Sequence, residues 1–215
     1  MLRVNKLKEK LNQGKTVIGP FMKLSSPAVV EVLGNAGFDF VIIDTEHGPI
    51  STETAENLIR AAELVGITPI VRVSNNDSNQ ISKALDIGAL GIQVPQISSG
   101  EDAKKAVKSC KYSPKGERGV CRFVRAASYS AMNRFEYFSM SNNETLVILQ
   151  VEGTEGVNEL DQILEVPDVD IIFLGPYDLS QSLGLPGQID HPKVEAKMCE
   201  VISKAKKKGI TIGTF

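Results

Sequence analysis

The chain has 215 residues, 42% of them apolar and 23% charged, an ordinary globular balance that excludes a disordered protein. Its 24 Lys and Arg against 26 Asp and Glu leave a formal charge of −2, which excludes the basic footprint of a nucleic-acid binder or a polybasic membrane surface. No stretch reaches the ~18 apolar residues of a membrane span, and three widely separated cysteines, Cys110, Cys121 and Cys199, argue against a disulfide framework or a CxxC metal knot.

The opening segment, MLRVNKLKEKLNQGK, is polar and amphipathic and lacks the apolar centre of a signal peptide, so a soluble, cytoplasmic protein is expected. From there, runs rich in Val, Ile and Leu alternate with helical patterns to the last residue. The spacing predicts strands over 16–23, 38–45, 68–73, 91–97, 145–151, 169–175 and 210–215. Between them it predicts helices over 27–35, 52–65, 79–86, 101–109, 129–138, 156–164 and 193–208. Ser26, Ser51 and Asp77 stand where N-caps belong, and Gly66 and Gly209 where helices stop. His191, before Pro192, reads as a residue opening the last helix. The longest irregular piece, 111–128, carries Lys111, Lys115, Arg118, Arg122 and Arg125 against one acid, Glu117, and is either a functional loop or a solvated one.

Repeated βα alternation implies right-handed crossovers and a mainly parallel sheet. Seven strands point to a (β/α)₈ TIM barrel forming one domain over 1–215, with its last strand and helices lacking, since a full barrel takes ~250 residues. The alternative is an open doubly wound sheet, but no Gly-rich dinucleotide fingerprint follows the first strand.

In a barrel, chemistry collects at the C-terminal ends of the strands. There the sequence puts Asp44, Glu46 and His47 at FVIIDTEH, Arg72 after PIV, Gln93 and Gln96 around Pro95, Gln150 and Glu152 at LVILQVE, and Tyr177 and Asp178 after IIFLG. His47, with Asp44 and Glu46 close before it at the end of a buried strand, suits a general base, because a carboxylate neighbour raises imidazole basicity and fixes its tautomer. Glu152 and Asp178, with no Cys or His beside them, suit a hard, oxygen-preferring cation. Singly, each has a plainer reading: a structural ion pair for Arg72, a helix cap or Arg partner for the two acids.

These residues carry a resemblance. FDFVIIDTEHGP, VRVSNNDSNQISKALDIGALGIQVPQI, PKGERGV with RAASY, LQVEGTEGVNELDQIL, and VDIIFLGPYDLSQSLG with HPKV follow one another as in the metal-dependent (class II) pyruvate aldolases of the HpcH/HpaI type. The chain resembles that family from its first strand to its end. The resemblance implies that Glu152 and Asp178 hold a divalent cation (Mg²⁺, Mn²⁺ or Co²⁺) that chelates pyruvate and acts as a Lewis acid on its enolate. It implies that Arg72 donates to the same oxygen and that His47 takes the proton of the C4 hydroxyl. Asp44 and Asp86 would keep His47 oriented and basic. Gln150 would touch the keto acid, and backbone N–H groups around Gly175, Tyr177 and Asp178 would hold its carboxylate.

The implied reaction is reversible retro-aldol cleavage of a 2-keto-4-hydroxy acid to pyruvate and an aldehyde. The implied partners are those small molecules and further copies of the chain in a hexamer built from dimers, with no nucleic acid or membrane. Two segments depart from the family pattern: Tyr177 in GPYDLS, and Cys121-Arg122-Phe123 after RGV. Arg122 or Arg125 is thereby a candidate for recognising an acidic aldehyde, or a surface residue. Rival readings are a Schiff-base aldolase using Lys23, an acyl-CoA lyase of the citrate lyase β type, and a non-catalytic keto-acid binding barrel.

Overall fold

The computed structural model describes residues 4–215; the first three residues of the amphipathic opening segment lie outside the described residues. Seven strands, β1 (Phe21–Met22), β2 (Phe40–Asp44), β3 (Thr68–Arg72), β4 (Gly91–Val94), β5 (Leu146–Val151), β6 (Ile171–Leu174) and β7 (Thr211–Gly213), form one parallel sheet in sequential order. Parallel neighbours need a crossover, and the chain supplies α2 (Pro27–Asn35), α3 (Thr52–Val65), α4 (Ser78–Asp86), α5 (Gly100–Cys110), α6 (Arg134–Glu144), the short pair α7 (Thr154–Asn158) and α8 (Leu160–Leu164), α9 (Pro176–Ser182) and α10 (Pro192–Lys207). No helix among the described residues is long and apolar enough to cross a membrane.

The period-2 alternation of strand side chains sorts the sheet into two apolar layers. Val41, Ile43, Val71, Ile92, Val147, Leu149, Ile172 and Leu174 face the helices. Ile42, Ile70, Leu146, Ile148, Ile171 and Phe173 face inward on a second cluster, which Leu7 of α1 (Lys6–Asn12) joins from below. Buried Asn5 fastens that floor by donating to the carbonyls of Leu90 and Glu144 at 2.9 and 2.8 Å.

The sheet curls without closing on itself: β1 bonds only β2, and β7 only β6. The expected TIM barrel lacking its last strand is therefore observed as a seven-stranded half-barrel. Across the seam, the Phe21 ring meets Phe173 and Phe215 edge-on at 5.8 and 6.0 Å. The register aligns Asp44 with Arg72 and Arg72 with Gln93, so the inward positions become polar toward the C-terminal ends of the strands.

The boundaries differ from expectation where backbone chemistry overrides the apolar pattern. The predicted strand 16–23 shrinks to Phe21–Met22, because Pro20 has no N–H to pair. Its carbonyl still receives the Ile42 N–H at 2.9 Å. The predicted helix 129–138 starts only at Arg134: Ser128, Tyr129 and Ser130 take left-handed backbone conformations (φ 49°, 51° and 75°) that no right-handed helix can include, and Asn133 then caps α6. His191 does open α10, its Nδ1 accepting the Lys193 N–H at 3.2 Å.

The basic segment 111–128 is scaffolding. Lys111 is buried and its ammonium donates to the carbonyls of Asn142 and Thr145 at 2.8 and 2.7 Å. Arg122 donates to the carbonyls of Ser130 and Met132, and Arg125 grips Glu63 near the end of α3 and the Ile87 carbonyl just past α4. Helices run back against the strands, so Arg125 lies at the end of the sheet away from the strand C-termini. Within one chain, then, Arg125 is kept from the strand C-termini, and the Arg122 guanidinium is engaged by the Ser130 and Met132 carbonyls.

Candidate active site

The turn after β2 is held by Asp44. Its Oδ1 accepts the N–H groups of Glu46 and His47 at 3.1 and 3.2 Å, the local bond through which Asp residues shape turns. Gly48 completes the turn because a Cβ there would lie 2.3 Å from the Asp44 carbonyl oxygen. The same carboxylate takes a two-pronged pair from Arg72, Nε to Oδ1 at 3.0 Å and Nη2 to Oδ2 at 2.8 Å. Burial alone would raise the Asp44 carboxyl, but the Arg72 bonds and the two N–H groups outweigh it and hold the group below the usual range.

Arg72 is itself pinned on three sides. Its Nη1 lies 3.0 Å from Glu46 Oε2, and its guanidinium carbon 4.7 Å from the centre of the Phe21 ring. The Glu46 contact is out of line for a hydrogen bond, so Oε2 is a buried acceptor with none. Burial pushes the Glu46 carboxyl up, only partly countered by Arg72 and His47, with Asp44 and Asp178 adding repulsion.

Glu152, just beyond β5, is 7% exposed and tied at both oxygens. Oε1 accepts the Gln96 N–H at 2.9 Å, and Oε2 accepts from the Gln150 amide, which in turn accepts from Gln93. Gln96 presents that N–H from a left-handed conformation (φ 55°), uncommon for a residue with a side chain. Gly175 must lack a side chain, since a Cβ would come within 2.7 Å of Glu152 Oε2. Burial raises the Glu152 carboxyl despite its hydrogen bonds, and the charges of Asp178 and Glu46 raise it further.

Glu46, His47, Gln96, Glu152 and Asp178 line one cleft of about 520 Å³. His47 Nε2 is 3.9 Å from Glu46 Oε2, and the ring is exposed to the cleft. Asp44 touches His47 only through its backbone N–H, so the carboxylate facing the imidazole is Glu46, a role the sequence pattern left open. Asp86 is not brought to His47 within this chain. It ends α4, at the opposite end of the sheet from the strand C-termini, and is taken up by Arg118 at 2.6 Å. Within one chain it cannot orient His47.

Tyr177 turns its ring outward onto Phe215, stacked at 6.0 Å, and only its backbone faces the first turn of α9 beside Asp178. The Gly175 N–H is turned to the Val151 carbonyl at 3.5 Å. Lys23 is half exposed, its ammonium 3.6 Å from Asp44, without the desolvated pocket that a Schiff-base lysine uses. All three cysteines are free, and burial pushes the Cys110 thiol up to about 12, which keeps it protonated.

No three His, Cys, Asp or Glu side chains among the described residues gather closely enough to cage a metal by themselves. The donors present are nevertheless those a hard cation takes when water and substrate complete its shell: two carboxylates, one buried, each raising the other's energy. A divalent ion between Glu152 and Asp178 would relieve that repulsion, so the residues fit the group.

Residues 17–215 match the family model described as HpcH/HpaI aldolase/citrate lyase. A "Hydroxypyruvate/pyruvate aldolase" of Sagittula stellata is 35% identical over 97% of this chain and 82% of its own length. Among solved structures, an HpcH/HpaI aldolase/citrate lyase family protein from Burkholderia cenocepacia superposes with a TM-score of 0.93 at 36% identity, covering 99% of this chain and 84% of that one. The citrate synthase SbnG superposes at 0.89 with 37% identity, covering 97% and 81%. The chain belongs to the HpcH/HpaI aldolase/citrate lyase family.

Proposed function

We propose that the chain is a carbon–carbon lyase that reversibly splits a 2-keto-4-hydroxy acid into pyruvate and an aldehyde, with a divalent cation held by Glu152 and Asp178. The observation that carries this reading is the meeting of those two acids with Glu46 and His47 around one cleft, with Arg72 paired to Glu46 beside it. The activity named for the Sagittula stellata relative supports it. In this reading the curled sheet supplies seven staves of a TIM barrel.

Mg²⁺, Mn²⁺ or Co²⁺ would supply Lewis-acid polarisation of the keto oxygen as negative charge develops on it. Arg72 has five N–H donors, of which Asp44 engages two, so others remain to stabilise the same oxygen. Its fixed orientation means no reorganisation is needed at that moment. His47 takes the proton of the C4 hydroxyl as the carbon–carbon bond breaks, and Glu46 stands beside it to stabilise the imidazolium that forms. Gln150 has one amide N–H left for the keto acid, and the first-turn N–H groups at Tyr177 and Asp178 face its carboxylate. The reading carries with it an assembly of several copies, a hexamer by family resemblance, which light scattering measures.

The test is pyruvate release from a panel of 2-keto-4-hydroxy acids, coupled to lactate dehydrogenase. EDTA should abolish it and added Mg²⁺, Mn²⁺ or Co²⁺ restore it. Turnover that survives thorough metal removal refutes the cation's part. The likeness to SbnG favours one competitor, condensation of a keto acid with an acyl thioester, and product formation from that pair without any aldehyde cleavage would select it.

A further inference from the structure

We infer that Gln93, buried inside the sheet away from the cleft, is a positioning residue that fixes the Gln150 amide and, through it, the Glu152 carboxylate. This rests on the reading of Glu152 as a cation ligand. The argument is one of hydrogen-bond direction. An ionised carboxylate only accepts, so Gln150 must turn its NH₂ toward Glu152 Oε2. That leaves the Gln150 carbonyl facing away, and it accepts from the NH₂ of Gln93. The chain of donors therefore runs one way, from Gln93 through Gln150 to Glu152, and no amide in it can flip without opposing two like groups.

The relay ends at a cost. Gln93 is fully buried, and its Oε1 has no hydrogen-bond partner. A leucine would fit this position, beside Ile148 in register and among apolar inward residues, and would remove the orphaned Gln93 oxygen, leaving the Gln150 carbonyl oxygen without its donor instead. The sequence keeps an amide where packing alone calls for a hydrocarbon, and its one bond is the one that orients Gln150. Both oxygens of Glu152 are thus set from the β4 side: Oε1 directly by the Gln96 N–H, Oε2 through Gln93 and Gln150. Each retains a lone pair for the cleft.

The experiment compares the full-length protein with Gln93→Leu and Gln93→Glu. The readouts are Mn²⁺ binding by titration calorimetry, KM for pyruvate in the condensation direction, and thermal midpoint. Gln93→Leu should melt no lower than the parent, yet bind Mn²⁺ about tenfold more weakly, as loss of an outer hydrogen bond to a ligand does, and show a raised KM with a smaller change in kcat. Gln93→Glu cannot donate to Gln150 once its carboxyl is ionised, and at such pH it should bind Mn²⁺ more weakly still. Parental Mn²⁺ affinity and KM in a folded Gln93→Leu protein overturn the inference.

Side-chain ¹⁵N–¹H spectra of glutamine-labelled parent supply a readout independent of turnover. The relay predicts slowly exchanging NH₂ signals for Gln93 and Gln150, and a shift of the Gln150 pair in either variant. Fast exchange of both pairs in the folded parent also overturns it. A parent with the slow signals but no Mn²⁺ binding would instead defeat the aldolase reading and leave the relay standing.

Discussion

Asp44→Asn isolates the contact on which the geometry of Arg72 depends. The variant keeps the shape of the side chain and can still accept the N–H groups of Glu46 and His47, but it sets an NH₂ against one prong of the guanidinium. Asp44 is fully buried and Arg72 nearly so, so the lost charge is not replaced by water. Breaking one side of a buried pair costs about 3–5 kcal/mol. Glu46 still stands 3.0 Å from Nη1, which favours the low end, about 3 kcal/mol. For a domain of this size, about 2–4 °C accompanies each kcal/mol, so the thermal midpoint should fall by roughly 6–12 °C. Calorimetry of the metal-free protein measures it, with Arg72→Met and the double variant closing the cycle. The double variant should recover part of the loss, because it removes the guanidinium that Asp44→Asn leaves half-paired, although Glu46 then loses its cation. A midpoint within 2 °C of the parent for Asp44→Asn would refute the claim that Asp44 holds Arg72.

Gly175→Ala would put a methyl group 2.7 Å from Glu152 Oε2, so Mn²⁺ affinity should fall sharply in a protein that still folds; unchanged affinity by calorimetry contradicts the close approach. His47→Gln should lower retro-aldol turnover about 10²–10⁴-fold while leaving pyruvate binding nearly intact, and a proportionate loss of both would deny His47 its role as base. The pH dependence of metal-free stability follows from the carboxyls. Glu46 and Glu152 lie above the ordinary 4.5 when folded, so the native state takes up protons first and is stabilised as pH falls toward that value. Asp44, held below 3.8, acts oppositely: its stabilisation is present above 3.8 and is lost as pH falls through its folded value. Saturating Mn²⁺ should flatten the first effect. Urea melts between pH 3 and 8 test this, and metal-free stability that falls steadily from pH 7 to 5 contradicts it.

The sequence alone makes the sheet legible because strands buried on both faces must be continuously apolar, as at LVILQV and FVIID, and because the helix caps Ser51 and Asp77 make the bonds their positions predict. It also brings Asp44, Arg72, Glu152 and Asp178 to one end, since the first three follow an apolar run of their strands and Asp178 lies in the helical turn just past β6. What it cannot convey is which polar neighbour a side chain chooses. Asp44 and Glu46 both closely precede His47 in sequence, but the turn directs Asp44 to Arg72 and leaves Glu46 facing the imidazole. Asp86 closes α4, and a helix antiparallel to the strands carries its end away from the cleft. The cations of 111–128 are likewise drawn to carbonyls and acids that only the folded chain brings near them. Gln93 looks like any strand residue until the inward register puts it next to Gln150.

The claim that Glu152 and Asp178 together hold a cation is tested most directly by anomalous diffraction from a crystal grown with Mn²⁺ and pyruvate. The account predicts a single strong manganese peak within bonding distance of one oxygen from each acid, with the keto acid on the same ion. A peak elsewhere, or ordered pyruvate in the cleft with neither acid turned toward a metal, would contradict it.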